Sequence, residues 1–490
     1  MTIATRHAEA AAVLPEPGML IDGDWVTKTS AGTMDRVDPA TNELLRSFPV
    51  AGQPEVDRAV RAARAAFPAW KRTPADVRRN LLLRVAQLLS AANDEFAQII
   101  ALEGGNPAAI VTVEGAVDWI NYYAGWADKL AGEVIHSYPA RALDYALYEP
   151  YGVIGAIVPW NGPLHVSAMK VAPALAAGNC VILKSPEQSP FAVMRFAQIC
   201  REAGLPDGVL NLLNGGPAVG EAIIRHPDVR KVSFTGGPAT GSKVMALAAE
   251  SLTPVVMELG GKSANLIFAD ADLESAVPMA TMLSAVIAAG QGCLFPTRLL
   301  VQDAVYDEVV DRARAIAESA PQGDPLDPSV IMGPVIGGAA FDRIMAYIDI
   351  AKSDGQSRLV TGGSRLGGEF ESGFFVRPTI FADVDNGSRI AQEEVFGPVL
   401  SIIRFSGEAE AVALANDNRF GLAAYLHTRD LSRAHRVADE LEAGWIGVNS
   451  FPPMTPTAPF GGVKSSGFGR EGGRAGIEEY VHPKNINVLL

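Results

Sequence analysis

From residue 153 onward, short Val/Ile/Leu-rich runs alternate with helix-like segments, and this alternation constrains the fold more than any other feature of the sequence. The runs are VIGAIVP (153–159), CVILK (180–184), VLNLL (209–213), KVSFT (231–235) and PVVMEL (254–259). Helical patterns fill the gaps, as in FAVMRFAQICREAG (191–204), which ends at Gly204 and Pro206. Continuously apolar strands joined by helical crossovers make a parallel sheet covered on both faces, the doubly wound arrangement that binds nucleotides. After residue 262 the alternation resumes with TRLLVQ (297–302), PVLSIIRF (398–405), AAYLHT (423–428) and WIGVNS (445–450), predicting a second α/β unit. A chain of 490 residues exceeds a single hydrophobic core, in keeping with two or three domains.

The first hundred residues read as helical after a short strand-like GMLIDGDWV. Apolar residues from Val77 to Ile100 follow one helical stripe that stops at Gly104-Gly105. Residues 133–152 lose the helical period and read as a hairpin arm. The N-terminal MTIATRHAEAAAVLPEPG lacks the pattern of a secretory signal and is expected to be a flexible extension. The most apolar window, AVPMATMLSAVIAAG (276–290), is too short to span a bilayer and contains Pro278, so it predicts a buried helix. A net charge of −14 with no basic stripe argues against nucleic acid as a partner. Three cysteines form no disulfide framework, and a reducing, cytoplasmic setting is expected, with no membrane partner.

Several residues at strand ends could carry chemistry. Cys293, in AAGQGCLFPTR, is either a small buried filler or a nucleophile approached past Gly290 and Gly292. Asn161, in PWNGP, is a turn former or an amide donor for an oxyanion. Glu258 closes a buried apolar run and is a general base or one half of a structural ion pair. Lys184 and Glu187 follow the second strand, where such sheets face a nucleotide, though a solvated pair reads equally well. FTGGPATG (234–241) is a glycine turn that could approach a pyrophosphate, but it fits neither the usual dinucleotide fingerprint nor a P-loop. None of the seven histidines forms a ligand-spaced cluster, so no metal is expected.

Taken in order, PWNGPL, PALAAGNCVILKSPEQSP, FTGGPATG, ELGGKSANLIFADAD, GQGCLFPTR, EEVFGPVL and PFGGVKSSGFGREGG resemble the aldehyde dehydrogenase superfamily over nearly the whole chain. The resemblance implies an α/β, aldehyde dehydrogenase-like fold with a Rossmann-type NAD-binding domain (1–132 and 151–258) and an α/β catalytic domain (259–468). A small β oligomerisation arm (133–150 and 469–490) would build homodimers or homotetramers. It casts Cys293 as nucleophile, Glu258 as general base and Asn161 as oxyanion donor. Lys184, Glu187, Trp160, Gly236, Gly237, Glu394 and Phe396 would bind NAD. Gly162, Val166, Met169, Gly292, Leu294 and Met454 would line the substrate tunnel. These are small or apolar, with no arginine for a substrate carboxylate, which implies an uncharged aliphatic or aromatic aldehyde. A CoA-acylating relative and a cysteine hydrolase or acyltransferase are the alternatives. Against the family pattern, Gly237 replaces a common serine, Gly162 a common aromatic and Ala288 a frequent asparagine.

Overall fold

The computed structural model describes residues 2–139, 141–452 and 454–489; Ala140 of the expected arm, Met1, Pro453 and Leu490 lie outside them. Five parallel strands form the first sheet: β1 (Val153–Ile157), β2 (Cys180–Ser185), β3 (Leu210–Asn214), β4 (Val229–Thr235) and β5 (Val255–Glu258). All five match the expected runs. The spatial order is β5-β4-β1-β2-β3, and the short strand Gly467–Phe468 adds antiparallel beyond β5. The chain therefore moves outward from β1 to β3, then returns to the other side of β1. Such a reversal opens a crevice at the carboxyl ends of the strands, between β1 and β4.

Four helices shape that crevice: α1 (Pro163–Ala176), α2 (Phe191–Glu202), α3 (Pro217–Arg225) and α4 (Pro238–Ala249). Helices α3 and α4 open on the same hexapeptide pattern, GGPAVG and GGPATG, with Gly216 or Gly237 as N-cap and proline in the first turn. Proline there supplies the helical φ and forgoes an N–H that has no partner anyway.

A second sheet of seven strands holds β6 (Ala264–Ile267), β7 (Arg298–Gln302), β8 (Arg358–Thr361), β9 (Thr379–Ala382), β10 (Val399–Phe405), β11 (Ala423–His427) and β12 (Trp445–Val448). Its order is β8-β9-β10-β7-β6-β11-β12, parallel except for β8. The expected runs gave β7, β10, β11 and β12. They missed β6, an interior strand only four residues long, as well as β8 and β9. Strand Val481–Leu489 pairs with Ala142–Pro150, which pairs with Glu133–Ile135, so the arm is a three-stranded sheet.

Three expectations need correction. The N-terminal segment is not a free extension: Ile3–Ala10 is helical, capped by the Thr2 hydroxyl, and His7 is buried between two carboxylates. Its Nδ1 lies 2.5 Å from Asp38 and its Nε2 2.8 Å from Asp324, partners 31 and 317 residues away that no local pattern reveals. The early region also contains a hairpin, Thr33–Val37 with Leu44–Pro49, turned by Asn42 in a left-handed conformation. The single stripe over 75–103 is two helices, Ala75–Ala91 and Asn93–Gly104, broken at Ala92 and stopped by left-handed Gly105.

Candidate active site

The crevice at the carboxyl ends of β1 to β4 is an open cleft. It is lined by Trp160, Lys184, Glu187, Gly236 and Gly237, among the residues expected there, and also by Gly216, Thr240 and Lys243. The last three were not anticipated; the repeated GGPAxG pattern was the signal for Gly216 and Thr240. Lys184 Nζ lies 3.2 Å from Glu187 Oε2, and burial pulls its ammonium below the usual lysine range while Glu187 opposes the shift. A Cβ on Gly216 or Gly237 would project into open space. Two helix N-termini, each with free amides and no side chain in the way, thus border one cleft, a cradle suited to a phosphate-bearing ligand.

Cys293 stands between the two sheets, half-buried, on an irregular segment that precedes β7. The expected buried helix starts earlier, at Leu273, and ends at Thr281. It passes into a π turn (Met282–Val286), and Ala288, Ala289 and Gly290 then take three successive left-handed conformations. Alanine in that region is strained, costing about 1–3 kcal/mol per residue, and such strain concentrates at functional sites. Gly290 and Gly292 are glycines for packing reasons. A Cβ at Gly290 would lie 2.2 Å from the Gly397 carbonyl, and one at Gly292 would strike the Phe295 ring.

The segment is held on both sides. Asn161 Nδ2 donates to the Gln291 carbonyl at 3.0 Å, and the Tyr425 hydroxyl donates to the Leu294 carbonyl at 2.8 Å. Ser284 donates to the Pro296 carbonyl at 2.8 Å. Burial, then the carboxylates of Glu394 and Glu258, push the Cys293 thiol up to about 12, although the amides of Cys293 and Leu294 favour the thiolate. Cys180 and Cys200 are fully buried in β2 and α2, which makes them inert fillers.

Glu258 ends β5, and among the described residues neither carboxylate oxygen has a hydrogen-bond partner. Burial raises its pKa well above the ordinary range; Glu471 adds to this, while Lys170 and Arg470 oppose it. Lys170, wholly buried on α1, donates to Ser233 Oγ at 2.7 Å and Glu471 Oε1 at 2.8 Å. Sequence reasoning missed both charged residues, yet a lone lysine in the buried run MKVAPALA was a usable signal.

Glu394 accepts from the Gly261 amide at 3.0 Å, and burial lifts its pKa to about 7. Phe396, itself left-handed at φ 51°, meets Trp160 edge to face at 5.3 Å, so this pair bridges the two sheets. Gly162, Val166 and Met169 fall on one face of the α1 region, and a Cβ on Gly162 would touch only Val166. Val166 and Met454 pack partly buried against the core of the first sheet. Tyr425, Trp445 and Phe451 form an aromatic cluster that the sequence reading did not anticipate. Among the described residues no group of three His, Cys, Asp or Glu side chains is arranged to hold a metal ion.

Comparison with known proteins agrees with this fold. The profile of the aldehyde dehydrogenase family matches residues 25–486. An aldehyde dehydrogenase of Emericella nidulans is 39% identical over 478 residues, covering 96% of this chain and 95% of the relative. The solved indole-3-acetaldehyde dehydrogenase AldA of P. syringae, in complex with NAD+ and IAA, is 37% identical with a TM-score of 0.95, covering 100% of each chain. Betaine aldehyde dehydrogenase of Staphylococcus aureus, in complex with NAD+, is 34% identical with a TM-score of 0.95, covering 100% of this chain and 98% of that one. The profile spans most of the chain and the relatives cover nearly all of it, so this chain belongs to the aldehyde dehydrogenase family.

Proposed function

We propose that the protein oxidises an uncharged aliphatic or aromatic aldehyde to its carboxylic acid, with NAD as cofactor and Cys293 as nucleophile. The observation that carries the reading is the half-buried Cys293, two residues beyond the carbonyl that the Asn161 amide holds and within the field of the buried Glu258 carboxyl. The open cradle of Gly216 and Gly237 would take the pyrophosphate of NAD, Lys184 and Glu187 would hold its adenosine ribose, and Glu394 would hold its nicotinamide ribose. When bound, NAD supplies the acceptor for the substrate's hydride.

The protein's own residues account for the rest. The thiol gives its proton to water, and the thiolate attacks the aldehyde carbon, turning the carbonyl oxygen into an oxyanion within a thiohemiacetal. Asn161 Nδ2–H and the Cys293 amide stabilise that oxyanion; losing one such donor typically costs about 2.7–4 kcal/mol of barrier. Departure of hydride leaves a thioester on Cys293. Glu258, once deprotonated, takes a proton from water, the hydroxide adds to the thioester carbon, and carboxylic acid and thiol separate. Burial raises the pKa of Glu258, so its basic form grows as pH rises, and Lys170 eases that deprotonation.

The apolar helix face of Gly162, Val166 and Met169 and the aromatic cluster around Tyr425 support an uncharged substrate. The P. syringae relative is named for indole-3-acetaldehyde, an uncharged aldehyde that carries an aromatic ring. The arm, with Val134 and Tyr138 strongly exposed, suits assembly into dimers or tetramers inside the cell. The test is NADH absorbance on mixing protein, NAD and a panel of charged and uncharged aldehydes, with and without CoA. NADH formation with uncharged aldehydes and no CoA supports the reading. A strict requirement for CoA, or acyl hydrolysis without NAD, contradicts it.

A further inference from the structure

The hydrogen bond between Asn161 and the Gln291 carbonyl has a consequence for how the amide is aimed. A backbone carbonyl only accepts, so the atom of Asn161 facing it at 3.0 Å is the NH₂ group and cannot be the oxygen. One of the two N–H bonds is consumed there. The other, fixed about 120° away by the planar amide, is left to face a developing oxyanion.

What holds that carbonyl in place is the side chain of the same residue. Gln291 is buried at 4% exposure. Its Oε1 accepts from the Ile336 amide at 3.0 Å, and its Nε2 donates to the Ala288 carbonyl at 3.1 Å. Both partners are backbone groups of opposite polarity, so the orientation of the glutamine amide is forced. Ala288 is the first of the three left-handed residues. The Ile336 carbonyl in turn accepts from buried Arg36 at 2.9 Å, which anchors that loop. Only a side chain of this length that carries both a donor and an acceptor satisfies the two contacts. Glutamate would set a carboxylate against the Ala288 carbonyl, and methionine would leave the Ile336 amide without this partner and the Ala288 carbonyl with the Gln291 backbone amide alone.

We infer that Gln291 is a positioning residue: its side chain pins the strained segment so that its own carbonyl orients the Asn161 amide toward the oxyanion. The inference rests on the proposed role of Asn161 as oxyanion donor. It goes further by assigning the aim of that donor to a residue two positions before the nucleophile.

The test is a double-mutant cycle in the full-length protein with Asn161→Ala and Gln291→Met, read as kcat with a saturating uncharged aldehyde and NAD. Misplacing a catalytic group by about 1 Å can cost ~10²-fold, so Gln291→Met should lower kcat by roughly 10- to 100-fold. In the Asn161→Ala background the same change should cost less than about threefold, because the donor it aims is already gone. Alkylation of Cys293 by iodoacetamide needs no oxyanion donor and should stay within about twofold of wild type in Gln291→Met. If the two substitutions multiply, or alkylation falls as far as turnover does, Gln291 acts on the loop as a whole and the inference is overturned. If Asn161→Ala alone keeps wild-type turnover, the proposed role of Asn161 fails first. Should Gln291→Met not fold, Gln291→Glu, which keeps the acceptor for the Ile336 amide, is put through the same cycle under the same criteria.

Discussion

The cofactor cleft and the nucleophile segment reach the same crevice by opposite means. The cleft is built from regular parts: five parallel strands, helices that begin directly after them, and glycines where the backbone must stay uncovered. The nucleophile segment, residues 282–297, follows no period. It runs through a π turn and three left-handed residues, two of them alanines, and is held by Asn161 and Tyr425 from outside and by Ser284 from within. Regular secondary structure satisfies its backbone groups locally, so a cleft made from it tolerates variation in side chains. The irregular segment depends on distant partners to hold a single thiol in place.

The sharpest contrast between the regions is between their thiols. Cys293→Ala should lower NADH production by on the order of 10⁴-fold or more, the scale seen when a covalent nucleophile is removed. NAD binding should persist, because the cleft is untouched. Cys180→Ala and Cys200→Ala should keep most activity, since both thiols are packed inside regular elements. Equal inactivation of folded Cys200→Ala would erase the distinction.

The thiol pKa of about 12 gives the contrast a pH signature. Below that value the thiolate fraction, and with it iodoacetamide alkylation of the cofactor-free enzyme, should rise about tenfold per pH unit. From pH 7 to pH 10 the expected gain is therefore roughly a thousandfold, with no plateau. A plateau near neutrality would mean that the segment already holds Cys293 as a thiolate.

On the cleft side, Glu187→Ser should shift the ratio of kcat/KM for NADP over NAD upward by about tenfold, since a 2′-phosphate carries roughly −1.5 to −2 charges. An unchanged ratio would remove Glu187 from the adenosine ribose. The smallest effect belongs to the strain itself. Ala288→Gly should stabilise the fold by up to about 1 kcal/mol, because glycine adopts φ 49° without penalty. No gain in thermal stability would mean that the strain is compensated locally.

Legibility in the sequence follows the same division. All five strands of the first sheet were readable because continuous Val/Ile/Leu runs are decided locally by burial on both faces. Strand β6, equally buried, was not readable: four residues between GGKS and FAD are too few for a pattern. The helix Ile3–Ala10 was missed because the groups that order it, Asp38 and Asp324, lie far along the chain. At the site, motif order pointed to Cys293, Glu258 and Asn161, but neither the buried Lys170–Glu471 pair nor the clamp formed by Gln291 could be read from spacing. Those contacts join segments up to 301 residues apart. The packing demand on Gly290 was hidden for the same reason, since Gly397 lies far downstream and only the fold brings it near.

The central claim, a covalent thioester on Cys293 resolved by water that Glu258 activates, is tested most directly in Glu258→Gln. Without the base, acylation proceeds while deacylation stalls. Rapid mixing with NAD and an uncharged aldehyde should give a burst approaching one NADH per active site, followed by slow turnover. Intact-mass and peptide analysis of the quenched protein should then find the acyl group on Cys293 alone. A full burst with no adduct on Cys293, or an adduct on another residue, would contradict the account.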